Sequence, residues 1–514
     1  MGNPTQWPRA DVIIGNPPFL GAKLLKPERG PDYVDAVRHA YPEVPGMADY
    51  CVYWFRKAHD HLQPCTADDP VAGRAGLVGT QNIRNNQSRV GGLDQIVKTG
   101  TIIEAVDNQP WSGEANVHVS IVNWVKTQDP RLLPLSRILW CKAPSVTKAP
   151  ANAVNLGGLT GPKNNLVFIK CSSISPSLSN LEDTSKSRVL RCNATPKKVF
   201  QGVTPGHDAF ILPYAEYRKL IHTDPASGVV THPYLIGREI LTGDGKPERY
   251  VIDFEQRDLL EAKSFRYAFS RIQDQVLPDR RTKAEEGKNA DGEMRPHHRQ
   301  FLERWWKLSW DRADLIRLLG RVDRFLVCSR VTKRPVFVFV DAQIRPGDAL
   351  QAFVFEDDYS FSILQSNVHW QWFVAKCSKL KSDFRYTPES VFDTFPWPQS
   401  PTVVQINAVA DAGREVRRVR ADALTKITGG LRAVYRTLEL PGKNPLKEAH
   451  ATLDAAVLAA YGFSAKADLL AQLLALNLEV SRREQAAEPV TAPGIPPGYP
   501  DPARLVTDDC IRAD

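Results

Sequence analysis

The chain is poor in the residues that build several common kinds of site. Its eight cysteines are scattered through 514 residues with no Cys-x-x-Cys pair, which argues against a zinc site or a disulfide framework and fits a reducing, cytoplasmic compartment. The nearest approach to a histidine cluster is His297-His298, and adjacent residues do not share a helix face. No apolar run approaches the ~18 residues of a membrane span. The first residues, Met1-Gly2-Asn3-Pro4-Thr5-Gln6, have neither the charged nor the apolar region of a signal peptide. No internal repeat and no Asp…Glu-x-Lys nuclease constellation stand out. A Gly-rich strand–turn–helix motif is also absent: Gly157-Gly158 lies in a connector and Gly429-Gly430 in a helical region. Charge of one sign is only in modest excess, +8 with a pI near 8.9. That suits a polyanionic partner but is equally common in ordinary soluble proteins.

What the chain does have is Asn16-Pro17-Pro18-Phe19, directly behind the apolar run Asp11-Val12-Ile13-Ile14-Gly15. The two prolines stiffen the turn and remove two N–H donors, so it presents carbonyl oxygens as acceptors. Asn16 adds a side-chain acceptor and Phe19 a flat apolar face. Acceptors beside an aromatic plate suit a planar ring that carries an exocyclic amine. The plain alternative is a proline-rich turn after a strand, since Asn-Pro is a common turn signal.

The tetrapeptide resembles the catalytic motif of S-adenosylmethionine-dependent amino-methyltransferases, which most often methylate adenine N6 in DNA. The stretches GNPPFLGAKLL (15–25), YCVYWFRKA (50–58) and AGLVGTQNI (75–83) follow in that family's order and spacing. FDTFPWP (392–398) is similar to the segment closing the target-recognition domain of large adenine-specific DNA methyltransferases, including type IIL restriction–modification enzymes. LDAAVLAAYGF (453–463) resembles their C-terminal helical element. The resemblance implies S-adenosylmethionine as cofactor and double-stranded DNA as partner. It implies Asn16 and the Pro17 carbonyl as acceptors for the two N6 hydrogens, Phe19 as the stacking surface and Pro18 as the stiffener. The base must leave the duplex to reach such a pocket.

Two other base chemistries compete. Methylation at cytosine C5 needs a cysteine nucleophile in a Pro-Cys dipeptide. Pro64-Cys65 exists, but it follows a helical stretch and leads into Thr66-Ala67-Asp68-Asp69, which does not match. Cytosine N4 asks for the same acceptors as adenine N6 and stays open.

Residues 1–126 read as alternating strands (11–15, 74–80, 102–106, 117–125) and helices (32–40, 49–62, 88–98). The expected fold class is α/β: the C-terminal half of a Rossmann-like class I methyltransferase sheet with one reversed edge strand. Residues 127–195 read as a connector with a few strands. Residues 196–400 form a mixed α+β target-recognition domain, with a strand pair at 335–340 and 352–355. Residues 401–486 are helical, beginning with one long amphipathic helix over 401–440, and 487–514 is an extended Pro-rich tail. Basic and aromatic residues interleave between 270 and 335, which nominates Arg280, Arg281, Arg295, Arg299, Arg304 and Lys307 for DNA contact. A second cluster, Arg414, Arg417, Arg418 and Arg420, reads as a solvated helix face.

In the resembled family the S-adenosylmethionine cradle precedes the Asn-Pro-Pro-Phe motif, yet only fifteen residues precede Asn16 here. The expectation is therefore a chain lacking the cofactor-binding half: a fragment, or a subunit whose partner chain supplies that half. The resulting function is an adenine-N6 DNA methyltransferase subunit or fragment. The alternative is a non-catalytic DNA-binding specificity module.

Overall fold

The computed structural model of the chain describes residues 5–111, 117–142, 166–179, 184–243, 245–286, 296–380, 383–440 and 442–513. The chain divides into two compact units, Met1–Lys186 and Ser187–Asp514.

The first unit is built on a six-stranded sheet. Its strands are β1 (Val12–Gly15), β2 (Arg74–Thr80), β3 (Thr101–Pro110), β4 (His118–Val125), β5 (Arg137–Lys142) and β6 (Leu166–Cys171). They lie in the order β1-β2-β4-β3-β5-β6. β1 runs parallel to β2, and β4 pairs antiparallel with both β2 and β3. β5 runs parallel to β3, and β6 returns antiparallel to β5. The expectation of a half-sheet ending near residue 126 is overturned. The sheet continues to Cys171, and the reversed strand β4 is internal, between β2 and β3. Strands were expected in the 127–195 stretch, and β5 and β6 are two of them; what its Ser-, Asn-, Pro- and Gly-rich composition concealed is that they extend the same sheet.

β2 alternates buried and half-buried residues along its length, the period of a strand packed on one face. Helix Cys51–His61 lays Val52, Phe55, Ala58 and His59 into the core, a spacing of three to four residues that makes one helix face. Phe55 stacks on Trp124 of β4 with ring centroids 5.6 Å apart. The expected helix at 88–98 is two short pieces, Asn86–Gly91 and Leu93–Ile96, interrupted at Gly92. At the sheet edge, β1 leaves Val12 and Ile14 exposed, Ile14 by 81%.

His59 has both ring nitrogens engaged. Trp124 Nε1–H donates to Nδ1 at 3.2 Å, so the ring proton sits on Nε2 and points at Thr99 Oγ1, 2.8 Å away. Burial, then the nearby Lys126 and Arg56 charges, push its pKa down to about 4.

Among its described residues the second unit has three sheets. β7 (Val199–Gln201), β8 (Ile211–Pro213), β9 (Thr231–Leu235), β10 (Arg249–Ile252), β11 (Arg324–Ser329), β12 (Val331–Thr332), β13 (Val338–Asp341), β14 (Arg345–Pro346), β15 (Leu350–Phe353), β16 (Ser378–Leu380) and β17 (Asp383–Arg385) form them. Their orders are β14-β9-β10-β8, β13-β11-β15-β7 and β12-β17-β16. The strands expected to pair with each other near 335–340 and 352–355 instead flank β11, one on each side. Every residue of β11 is buried, as befits a central strand covered on both faces.

The expected single helix at 401–440 is broken. Val403–Leu424 starts at a Thr402/Gln405 capping box and stops before Gly429 and Gly430, whose φ values are +102° and +67°. Two successive residues in the left-handed region cannot continue a right-handed helix. Helix Gly430–Arg436 then leads on towards Pro445–Tyr461 and Leu469–Gln485.

Helix Asp358–Gln365 is buried at all eight positions. The Asp358 carboxylate, with no exposed surface, accepts from Arg324 at 3.0 Å, Arg414 at 2.6 Å and Arg417 at 2.8 Å. Asp509 supplies a second carboxylate, 2.6 Å from Arg417 and 3.3 Å from Arg324. The chain end is thereby fixed to the core: Leu505 and Tyr499 are buried, and Ile511 exchanges main-chain hydrogen bonds with Phe339 and Asp341. Of the arginines read as a solvated face, only Arg418 is one, paired with Glu415 and Asp422. Arg420 is buried and donates to the Phe337 carbonyl at 2.8 Å and to the Tyr435 hydroxyl.

Asp358→Ala leaves three guanidinium groups around an apolar methyl, and removing one partner of a buried ionic cluster costs about 3–5 kcal/mol. The expected outcome is a clear fall in the urea midpoint of the full chain, with Arg418→Ala unchanged as the surface control. His59 adds a pH dependence. Its folded pKa lies below the unfolded value of ~6.5, so its contribution is present above that pH and is lost as pH falls towards 4, about 3 kcal/mol in all. The stability gap between the parent and His59→Gln should therefore narrow between pH 7.5 and pH 5; a constant gap would count against the assignment.

Candidate active site

β1, β2 and β3 point the same way, so their carboxyl ends meet along one edge of the sheet. In open α/β sheets that edge is where ligands bind. Three loops arrive there: Asn16–Phe19 after β1, Gln81–Arg84 after β2, and Trp111 after β3.

Asn16 is exposed, Pro17 buried, Pro18 exposed and Phe19 half-buried. Among the described residues, none hydrogen-bonds to the Asn16 side chain or to the Pro17 carbonyl. Two adjacent acceptors at the strand end are therefore without a partner among the described residues, the Asn16 side chain at an exposed position and the Pro17 carbonyl at a buried one. Phe19 meets the Trp111 ring edge-on, with centroids 5.7 Å apart and planes at 87°. The sequence carried no signal for Trp111, so its place beside Phe19 went unseen.

The loop is tied to what surrounds it. Leu20 C=O accepts from Tyr50 N–H at 2.9 Å, which joins the motif to the start of helix Cys51–His61. Tyr50 and Tyr33 share a 2.5 Å hydroxyl contact, and burial followed by that contact pushes the Tyr50 pKa up to about 12. Next to Tyr50, the buried Asp49 carboxylate accepts from Thr80 Oγ1 at 2.6 Å and Asn82 Nδ2 at 3.0 Å. Its own N–H donates to Ser88 Oγ at 3.0 Å. Asp49 thus fixes the β2 loop to the helix start. Asp49 carried no sequence signal of its own, although Thr80 and Asn82 lie in the AGLVGTQNI stretch.

Neither nearby thiol is suited to attack a base. Burial pushes the Cys51 thiol up to about 12, far from a thiolate at neutral pH. Cys65 is buried, and its N–H donates to Lys126 C=O just beyond β4. That puts Pro64-Cys65 at the amino end of β2, the edge opposite Asn16, which argues against C5 chemistry.

The nominated DNA-contact residues belong to the second unit and divide sharply. Arg280, on helix Arg266–Glu286, is only 7% exposed. It donates to the carbonyls of Phe301 at 2.8 Å and Lys307 at 3.2 Å, and to Ser309 Oγ at 3.3 Å. It thereby serves the carbonyls at and beyond the end of helix Pro296–Glu303, which have no partner within that helix. Burial, then the Arg304 charge, lowers its pKa to about 10, so it stays protonated at neutral pH. Arg281 and Arg299 are exposed, while Arg304 and Lys307 are half-buried. Arg295 lies outside the described residues. Trp305 packs on Phe269, and Trp306 donates to Arg257 C=O, so both belong to the core side. Trp310 is 52% exposed beneath Arg312. Among the described residues, no helix is long and apolar enough to cross a membrane and no cluster of metal-ligating groups occurs.

Two domain models of one family match the chain. The MmeI DNA-methyltransferase domain matches residues 4–133 and the MmeI target recognition domain residues 187–399. The methyltransferase domain is thus present, which overturns the expectation that its S-adenosylmethionine-binding part is missing and comes from a second chain. "DNA methyltransferase A" of Bacillus subtilis (strain 168) is 21% identical over 503 residues, covering 93% of this chain and 49% of that protein. The solved structure of the type IIL restriction-modification enzyme MmeI in complex with DNA superposes with a TM-score of 0.69 at 20% identity. It covers 92% of this chain and 57% of that one, a likeness of fold. A modification subunit of a putative type I restriction enzyme from Vibrio vulnificus YJ016 aligns at a TM-score of 0.20, too low to support an inference. The chain spans about half the length of DNA methyltransferase A and of the MmeI chain.

Arg280 and Arg281 are neighbours with opposite surroundings, which allows a direct comparison. Arg280→Met should lower the chain's melting temperature, because it strips charge-assisted bonds from buried carbonyls at about 1.5–3 kcal/mol each in their net effect. Arg281→Met should leave melting within the scatter of surface substitutions. Equal effects would contradict the placement.

Proposed function

We propose that this chain, whose residues 4–133 and 187–399 match the MmeI DNA-methyltransferase and target recognition domains, acts as a site-specific DNA methyltransferase directed at adenine N6. Residues 187–399 would select the site, and Asn16–Phe19 would receive the flipped base. The observation that carries the reading is the open acceptor pair, Asn16 Oδ1 and Pro17 C=O, at the carboxyl end of β1 beside the Phe19–Trp111 wall.

The amine lone pair of adenine is delocalised into the ring and is a poor nucleophile. Two acceptors on its hydrogens favour a tetrahedral nitrogen and stabilise the positive charge that grows on it, with no covalent intermediate on the protein. Pro17 and Pro18 hold these acceptors without rearrangement. Phe19 offers a face for the base and so offsets part of the unstacking cost of a few kcal/mol.

S-adenosylmethionine, when bound, supplies an electrophilic methyl group. Within the first unit a cavity of about 920 Å³ is lined by Tyr33, Tyr50, Tyr53 and Trp54, with the carboxylates of Asp32 and Asp35. Flat faces beside carboxylates fit the ring and hydroxyls of a nucleoside, and these residues would hold it. Tyr50 connects that cavity to Leu20 behind the motif. Of the basic residues nominated from the sequence, the exposed Arg281 and Arg299 would meet phosphates, ahead of the half-buried Arg304 and Lys307.

Asn16→Ala removes one acceptor from an exposed position and should leave the fold intact. Transfer of labelled methyl from S-adenosylmethionine to duplex DNA by the full chain should fall on the order of 10²–10³-fold, with DNA binding retained. Digestion of the product should yield N6-methyladenine. N4-methylcytosine would redirect the reading to the other amine, and undiminished transfer by Asn16→Ala would sink the proposed role of the motif.

A further inference from the structure

β3 leaves its ladder with β4 between Val106 and Gln109 and rejoins it at Gln109 and Pro110. Asp107 and Asn108 form the irregular step. Irregularities of this kind beside a site re-aim the side chains that follow them. Here the next side chain beyond the strand is Trp111, the partner of Phe19.

The step is held by side chains. Asp107 C=O accepts from the fully buried Ser120 hydroxyl. Asn108 Oδ1 and His118 Nδ1 are 3.0 Å apart. The Asp107 carboxylate pairs with the Arg84 guanidinium, whose side chain is only 2% exposed. A guanidinium is buried in this way only where an opposite charge and hydrogen bonds compensate its lost hydration. Arg84 itself ends the Gln81–Arg84 turn after β2, the loop that Asp49 anchors through Thr80 and Asn82. On the far side, Trp111 N–H donates to Val117 C=O at 2.8 Å. The main chain around Trp111 is therefore fixed at Asp107 and again at Val117.

We propose that Arg84 and Asp107 are a positioning pair: their ion pair sets where β3 re-enters the sheet and so sets the position of the Trp111 ring against Phe19. Neither residue touches the base. Both determine the wall against which the base is stacked. The link to methyl transfer rests on the function proposed above, but the link to Trp111 does not, and the two are separable by experiment.

The first measurement needs no DNA. The full chain is labelled with 5-fluorotryptophan, and the Trp111 fluorine resonance is assigned by its loss in Trp111→Phe. Asp107→Asn keeps the shape and removes the charge. It should shift or broaden the Trp111 resonance while leaving Trp124, at the other end of β4, unmoved. Arg84→Lys, which keeps the charge, should move it less. An unchanged Trp111 resonance in Asp107→Asn overturns the proposal whatever the activity. Changes spread evenly over all tryptophans, with a lowered melting temperature, also overturn it, because they mark a purely structural role.

The second measurement follows function. Duplex carrying 2-aminopurine at the methylated position reports stacking of the flipped base. Asp107→Asn should alter that fluorescence and lower kcat on the order of tenfold to a hundredfold, the scale expected for misplacement of a reacting group. KM for DNA should stay within about twofold, since the pair does not contribute to uniform binding. If the unaltered chain neither methylates nor changes the 2-aminopurine signal, the functional reading fails, and the fluorine result still decides the positioning role.

Discussion

The Asp358 carboxylate has no exposed surface, and it faces the guanidinium groups of Arg324, Arg414 and Arg417. Three positive charges around one negative charge are not a stable arrangement in a low-dielectric interior. Asp509, nearly at the chain end and paired with Arg324 and Arg417, and Asp411, 2.8 Å from Arg414, supply the two missing carboxylates. One electrostatic requirement therefore joins the central strand β11, the buried helix Asp358–Gln365, the long helix Val403–Leu424 and the last residues of the chain. The guanidinium planes of Arg324 and Arg417 also lie over Phe339, at 3.6 and 5.1 Å from its centroid, so the charges are sheltered by a ring as well as neutralised. Such a cluster specifies which elements meet more than it adds to stability.

The first unit solves a comparable problem at its sheet edge. The loops after β1, β2 and β3 have no ladder of their own, yet a site built on them has to be rigid. Asp49 holds two polar side chains of the β2 loop, Arg84 ties that loop to β3, and the Leu20–Tyr50 bond ties the β1 loop to a helix. Buried polar groups with satisfied partners fix a single geometry. Asn16 and Phe19, proposed above to meet the base, are held in this setting while the Asn16 side chain keeps no hydrogen-bond partner among the described residues.

The placement of residues 16–19 at a strand end was legible because it is local: four consecutive residues directly behind an apolar run. Strands β1, β2 and β4 and helices Pro31–Ala40 and Cys51–His61 were legible because hydrophobic periodicity announces them. Trp111 was not, because turn residues announce a turn and not the partner that folds against it. Strands were expected where β5 and β6 lie, but their polar setting concealed that they belong to the first sheet. Arg414, Arg417 and Arg420 looked like a solvated face, yet Arg420 continues the buried stripe of Ile406, Val409, Gly413 and Val416 at helical spacing. That spacing was in the sequence; what it lacked was any sign of the carbonyl and hydroxyl waiting at Phe337 and Tyr435. Charge alone does not reveal which side of a helix it occupies.

Arg280 carries that last point into the laboratory. It is a basic residue in a basic region, and a survey that replaces each arginine by alanine and scores retention on a DNA column would find it indispensable. The loss would come from the collapse of a helix end, since its nitrogens are already engaged by the protein's own main chain. A footprint drawn from such a survey would be centred on a residue that never faces solvent. Any map drawn from such a survey has to be corrected for folding, residue by residue, before it is read as a surface.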